Sequence, residues 1–174
     1  LGKGGAIKLG FRNCRGRVFL YMDADGGYDP KEIPNLLRAL DNADCVFGSR
    51  ALPGSVSESP RTRRLAGYLY MRLVNFLLFK GVTDTQAGFK AFKRKVIDTI
   101  SDQVSANGFD TDVQLLIRAK MNGFKLAEVP VSYRFVKGSK VNILRDGALM
   151  GLRVLHFWFL LVLERLGLYK IREE

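Results

Sequence analysis

Acid, cysteine and histidine are scarce in this sequence. There are 17 Asp+Glu against 28 Lys+Arg, two cysteines, one histidine and one tryptophan. Cys14 and Cys45 alone make neither a disulfide framework nor a zinc site, which points to a reducing compartment. The one histidine, His156, lies in an apolar stretch and reads as packed or interfacial rather than catalytic. An unbroken run of about 20 apolar residues, the length of a membrane span, is also missing. The cleanest run, Val154 to Leu163, contains His156 and is flanked by Arg153 on one side and Glu164 and Arg165 on the other. No signal-peptide pattern, internal repeat or low-complexity tract is visible.

The sequence has an ordinary globular hydrophobic content of 47%, in a chain of 174 residues that can bury a real core. It also has a formal net charge of +11. That excess points toward phosphates on nucleic acid, on anionic lipid or on a phosphorylated substrate. The first residue is Leu1, and "LGKGGAIKLGF" reads as a chain already in progress, so a fragment is expected.

Local patterning predicts an α/β domain. "KGGAIKLGFRNC" has helical spacing, with Ala6, Ile7, Gly10 and Phe11 on one face. "RVFLYM" (17–22) reads as a buried strand. "PKEIPNLLRAL" reads as a helix with Pro30 in its first turn and Ile33, Leu36, Leu37 and Leu40 inward. "ADCVFGS" (43–49) is a second strand. Strand, helix, strand in this rhythm implies a right-handed crossover and a mostly parallel sheet. Residues 51–60 read as a loop, 61–80 as a helix with a basic start, and 87–94 as a strand. A further helix spans 108–124, and strand 125–135 carries Pro130 at an edge or bulge. After a loop, 143–168 forms a long apolar helix. A boundary near 141 would separate a domain at 1–141 from a tail at 142–174.

"YMDADGGYDP" places Asp23 and Asp25 directly after the first strand. Paired carboxylates at the C-terminal end of a parallel strand line a ligand crevice. They repel unless a cation lies between them, and Mg²⁺ or Mn²⁺ completed by substrate phosphates meets that need. A solvated Asp-Gly turn is the alternative. The glycines of "GKGGA" lack the P-loop spacing. They either present N–H groups to an anion or permit close packing.

The ordered set "GKGGA", "VFLYMDADGGYDP", "CVFGSR", "TDTQAGFKAFKR", "GFDTDVQLL", "EVPVSYR" and "GSKVN" resembles the polyprenyl-phosphate glycosyltransferases. These are the dolichol-phosphate mannose and glucose synthases and their relatives in glycosyltransferase family two. The resemblance runs to about residue 150. It implies a GT-A type α/β fold, a UDP- or GDP-sugar donor and a polyprenyl or dolichyl phosphate acceptor. It also implies inverting hexose transfer at the cytoplasmic face of a membrane. Asp23 and Asp25 match the family's metal-holding D-x-D, and Lys3 and Asp23 fall to the donor. Arg50, Arg63, Arg134 and Lys140 fall to the acceptor phosphate, which Arg can grip bidentately. Asp84 and Asp112 join the catalytic candidates. Because a phosphate monoester with second pKa near ~6 needs little base catalysis, orienting roles beside the arginines come first for both. Gln114 stands where many relatives carry Glu.

There are two departures from the family pattern. Gly27 occupies a position where many relatives place a Gln as a further metal ligand. The family's opening "A-Y-N-E"-like stretch, which grips base and ribose, does not precede Leu1, so this chain alone is expected to be inactive. The last helix is expected to lie in the membrane interface with Trp158 dipping into acyl chains; burial against the sheet and a short span are the other readings. Helix 61–80, with Leu69, Leu73, Phe76 and Leu77 beside its arginines, would share an anionic surface. A non-catalytic membrane-associated remnant is the alternative. A nucleic-acid binder is the weaker one, because the aromatics are not interleaved with the basic residues.

Overall fold

A computed structural model describes residues 2–106, 108, 110–136 and 143–168, and the side chains of all of these except 143 and 144. Helix α1 (Lys3–Asn13) leads into strand β1 (Val18–Met22). A short 3-10 turn then feeds α2 (Ile33–Ala39), followed by β2 (Cys45–Ser49). Two-residue β3 (Val56–Ser57) lies inside the segment expected to be loop. Then come α3 (Arg61–Leu77), β4 (Phe89–Lys93), α4 (Arg94–Ile100), α5 (Thr111–Met121), β5 (Leu126–Pro130), β6 (Ser132–Tyr133) and α6 (Ile143–Arg165).

The main sheet has the order β1-β4-β2-β5. β4 runs antiparallel to both β1 and β2, and β5 runs parallel to β2. Hence β1, β2 and β5 point the same way, as the sequence predicts, but β1 and β2 are not neighbours, and two of the three pairings in this sheet are antiparallel where a mostly parallel sheet is expected. β4 fills the space between them. Pro130 ends the edge strand β5, where a missing ladder donor is tolerated. β3 and β6 pair in parallel as a separate ribbon.

Helices cover both faces of the sheet. On one face Phe19, Cys45, Phe47 and Phe92 pack with Ile7 and Phe11 of α1, Val74 of α3, Val96 and Ile100 of α4, Leu115 and Leu116 of α5, and Val154, Phe157 and Leu161 of α6. On the other, Val46, Phe89 and Ala91 pack with Leu36, Leu40, Val131 and Tyr133. Each such phenylalanine contributes roughly 1.5–3 kcal/mol of burial. β2 is buried at every position because both faces are covered.

Two positions expected to point inward face water instead. Ala6 is exposed, since Gly4 and Gly5 rather than Ala6 carry α1 against its neighbours. Leu37 is 41% exposed because the short α2 presents only one narrow stripe, Leu36 and Leu40, to the sheet. In α3, Leu73 and Leu77 pack against the core, leaving Leu69 and Phe76 open. α6 is the one helix among the described residues long and apolar enough to cross a membrane, with a mean hydropathy of 1.5 over the most apolar 18 residues within Arg145–Arg165. It lies against α3 with one stripe buried, and Leu152, Leu155, Trp158 and Phe159 are open to solvent, as is His156.

Candidate active site

Strand direction assembles the site. Because β1, β2 and β5 run the same way, the Asp23–Asp25 loop, Arg50 and Arg134 all follow strand ends at one end of the molecule. β4 runs the other way, so the segment leading into it, Asp84 to Gly88, arrives at that same end. The ribbon closes the cluster. The Arg134 N–H donates to the Gly27 carbonyl at 2.8 Å, and Tyr28 bridges to Tyr133.

Asp23 is half-buried and Asp25 exposed. The Asp23 N–H donates to the Gly88 carbonyl at 2.6 Å. A Cβ on Gly88 would come within 1.9 Å of Asp23 Oδ2, so only glycine permits this carboxylate its place. Asp25 Oδ1 accepts from the Gly27 N–H at 2.9 Å, the short-range bond that holds an Asx turn. A Cβ on residue 27 would stand 2.4 Å from the Tyr133 ring. In this chain the ring fills the space a Gln side chain would need there.

Lys3, at the start of α1, reaches Asp23 Oδ1 at 3.0 Å and Asp112 Oδ2 at 2.7 Å. Asp112 is fully buried and also accepts from Lys90 Nζ at 2.7 Å and the Tyr21 hydroxyl at 2.6 Å, both at Oδ1. Burial alone would raise the Asp112 carboxyl; Lys90 and Lys3 outweigh it and hold it below the ordinary carboxylate range. Burial pulls the Lys90 ammonium below its ordinary value, with Asp112 opposing. The sequence does not single out Lys90 or Tyr21. The signal for them is the alternation of β4, where Lys90 shares the face of Phe92 and therefore points toward α5.

Asp84 and Arg50 form a second pair. Arg50 Nε and Nη2 reach the two Asp84 oxygens at 2.7 and 3.0 Å. The Arg50 and Gln86 N–H groups add 3.2 and 3.0 Å bonds. Burial would raise the Asp84 carboxyl, but Arg50 holds it low. Glu128 secures the segment by accepting from the Thr83 N–H at 2.9 Å, the Thr83 hydroxyl at 2.7 Å and the Asp84 N–H at 3.1 Å. The Arg50 guanidinium lies 5.3 Å from the Tyr133 ring centre, and Arg63 lies 4.9 Å from that of Phe135. Arg134 is exposed, with Glu58 at 3.8 Å. Lys140 lies outside the described residues. Gln114 accepts from the Ala106 N–H at 3.2 Å, a structural bond.

Among the described residues no group of three or more His, Cys, Asp or Glu gathers for a metal ion. Asp23 and Asp25 thus fit a cation that brings its remaining ligands from bound phosphates, not one caged by protein alone. Their oxygens are hard donors suited to Mg²⁺ or Mn²⁺.

The overall architecture is that of GT-A type glycosyltransferases. Glucosyl-3-phosphoglycerate synthase from Mycobacterium tuberculosis, solved with UDP, superimposes with a TM-score of 0.68 at 19% identity, over 98% of this chain and 57% of that one. The same enzyme has been solved with Mn²⁺, UDP-glucose and phosphoglyceric acid, at TM-score 0.66. In sequence, the chain is 34% identical over 166 residues to the glycosyltransferase AglD of Haloferax volcanii, covering 94% of this chain and 27% of that protein. It is 38% identical over 122 residues to the polyprenol monophosphomannose synthase of Mycolicibacterium smegmatis, covering 67% and 45%. To human dolichyl-phosphate beta-glucosyltransferase it is 33% identical over 149 residues, covering 80% and 46%. The chain thus spans about half, or less, of the length of these curated relatives. The profile of glycosyl transferase family 2 matches residues 1–101, and the chain belongs to that family.

Proposed function

We propose that this chain is the metal- and acceptor-binding portion of an inverting glycosyltransferase that moves a hexose from a UDP- or GDP-sugar to a polyprenyl or dolichyl phosphate. The observation that carries this reading is the convergence of Asp23, Asp25, Arg50, Arg63 and Arg134 at one end of the sheet. The names of relatives in the family, which specify polyprenol and dolichyl phosphate, support the acceptor class.

Asp23 and Asp25 would hold Mg²⁺ or Mn²⁺, which when bound stabilises the charge of the leaving diphosphate. Arg50, oriented by Asp84, and Arg63 hold the acceptor phosphate in line with the anomeric carbon. Its oxygen forms the new C–O bond as the bond to the diphosphate breaks on the opposite face, which inverts the centre. The phosphate is already largely deprotonated at neutral pH, so no side chain has to act as base. Asp84 and Asp112 therefore position cations. α3 opens with Arg61, Arg63 and Arg64 and has no acid in its first turn. Cations there oppose the helix dipole by about 0.3–1 kcal/mol each, and a bound phosphate reverses that balance. Residues 142–174 would form the membrane-facing tail, with α6 in the interface of an anionic, cytoplasm-facing leaflet and Leu69 and Phe76 of α3 beside it.

The test is retention on detergent micelles doped with polyprenyl phosphate or with neutral polyprenol. Phosphate-dependent retention should fall in Arg50→Met and in Arg63→Ala. Equal retention on both lipids overturns the acceptor assignment.

A further inference from the structure

Lys90 and Tyr21 lie outside the substrate-facing cluster, yet they complete an unbroken polar chain into it. Lys90 and Asp112 are each 0% exposed. Asp112 Oδ1 is filled by Lys90 and Tyr21, and its Oδ2 meets Lys3. Lys90 also donates to the Ala87 carbonyl. One buried carboxylate thus faces two ammonium groups, which leaves one positive charge over. Asp23, 3.0 Å beyond Lys3, is the carboxylate that takes it.

We propose that Asp112, Lys90 and Tyr21 form a buried anchor that fixes the Lys3 ammonium against Asp23, and that this fixed charge makes the site take a divalent cation together with phosphoryl oxygens in preference to the bare cation. The inference rests on the reading above that Asp23 and Asp25 hold the metal of a donor diphosphate. A free lysine side chain would swing away from an incoming cation. Lys3 does not, because its shorter contact is to Asp112, a carboxylate sealed from water that needs the ammonium. The buried Gly4 and Gly5 bring the start of α1 close enough for that contact. Asp23, Asp25 and Lys3 together carry a formal charge of −1, too little to hold a divalent ion well. Phosphoryl oxygens change the balance, because they attract both the cation and the ammonium. Lys3 therefore opposes the bare ion and supports the ion–diphosphate complex, so its removal acts with opposite sign on the two. Tyr21, Lys90 and Asp112 are positioning residues, acting only through Lys3.

The experiment is Mn²⁺ titration of residues 1–174, followed by the electron paramagnetic resonance of free Mn²⁺, with and without UDP. Lys3→Met should bind bare Mn²⁺ roughly three- to tenfold more tightly and Mn²⁺ with UDP more weakly by a similar factor. Tyr21→Phe, which leaves every charge in place, should shift both affinities in the same directions by less. In the Lys3→Met background it should leave the ratio of the two affinities unchanged. Both affinities moving the same way in Lys3→Met would overturn the proposal. So would a change of ratio by Tyr21→Phe when Lys3 is absent. Wild-type protein that binds Mn²⁺ no better with UDP than without overturns the proposal, and Asp25→Asn binding bare Mn²⁺ as well as wild type removes the metal reading of Asp23 and Asp25 itself. Tight wild-type binding of Mn²⁺ with UDP, combined with insensitivity to Lys3→Met, removes only the anchor.

Discussion

Replacing Arg50 by Met isolates what the Arg50–Asp84 pair contributes. The substitution keeps most of the side-chain length but leaves Asp84, 5% exposed, as a buried carboxylate without its cation. Two backbone donors, the N–H groups of residue 50 and Gln86, remain. Breaking a buried pair from one side costs about 3–5 kcal/mol, and the residual donors place Arg50→Met near the lower figure. For a chain of this size that corresponds to a melting shift of roughly 6–12 °C. Asp84→Asn should cost less, about 1–3 kcal/mol, because the Arg50 side chain is 30% exposed and can turn to water. The double variant should be less destabilised than the two singles added together. The pH dependence has a definite sign. The folded Asp84 carboxyl lies below its ordinary value, so the pair contributes stability above the unfolded pKa of about 3.9 and loses it as pH falls through the folded value. Without Arg50, burial raises the carboxyl instead, and acid relieves the stranded charge. The gap between wild type and Arg50→Met should therefore be widest at neutral pH and narrow toward pH ~4. Chemical denaturation across that range reads it directly. A deficit under ~1 kcal/mol at neutral pH, or one that grows on acidification, would refute the argument.

Gly88→Ala should leave the melting point within a few degrees of wild type yet abolish Mn²⁺ binding with UDP, since its methyl must push the Asp23 carboxylate off Lys3; unchanged binding would show that the loop relaxes freely. Tyr28→Phe should be neutral or slightly stabilising by thermal melting, because the Tyr28 hydroxyl is buried with no hydrogen-bond partner among the described residues; a loss of 1 kcal/mol or more would mean the hydroxyl is satisfied. Trp158 is the lone tryptophan and lies on the open face of α6, so its emission should shift to the blue with anionic vesicles and not with neutral ones; no shift with either would argue against an interfacial helix.

Elements with strong periodicity are legible in the sequence itself. β1, β2, α3, α5 and α6 lie where their apolar spacing puts them, and the Asp23–Asp25 pair is visible as a motif. α4 is hidden, since "RKVIDTI" follows a strand without a break and is too short for a periodic signal. The position of β4 cannot be read because strand order depends on long-range pairing, which leaves no local trace. The same limit hides the anchor. Lys90 in "FKAFK" looks like a solvent-facing residue of a one-sided strand, and only a sheet covered on both faces sends it inside. Arg50 and Asp84 each stand out in the sequence, but their bidentate geometry needs the end of β2 and the segment before β4 to meet.

The insertion of β4 has a consequence for the order in which the chain can fold. β1 and β2 are complete by Ser49, yet among the described residues the strand that joins them, Phe89–Lys93, comes only after α3, and β5 must wait for residues 126–130. During synthesis the edges of β1 and β2 that face β4 therefore stay open while the whole of α3 is still being made. Such long-range pairing is slow, and unpaired edges invite association. Substitutions that weaken β4 should therefore lower the yield of soluble protein during synthesis more than they lower the stability of molecules already folded.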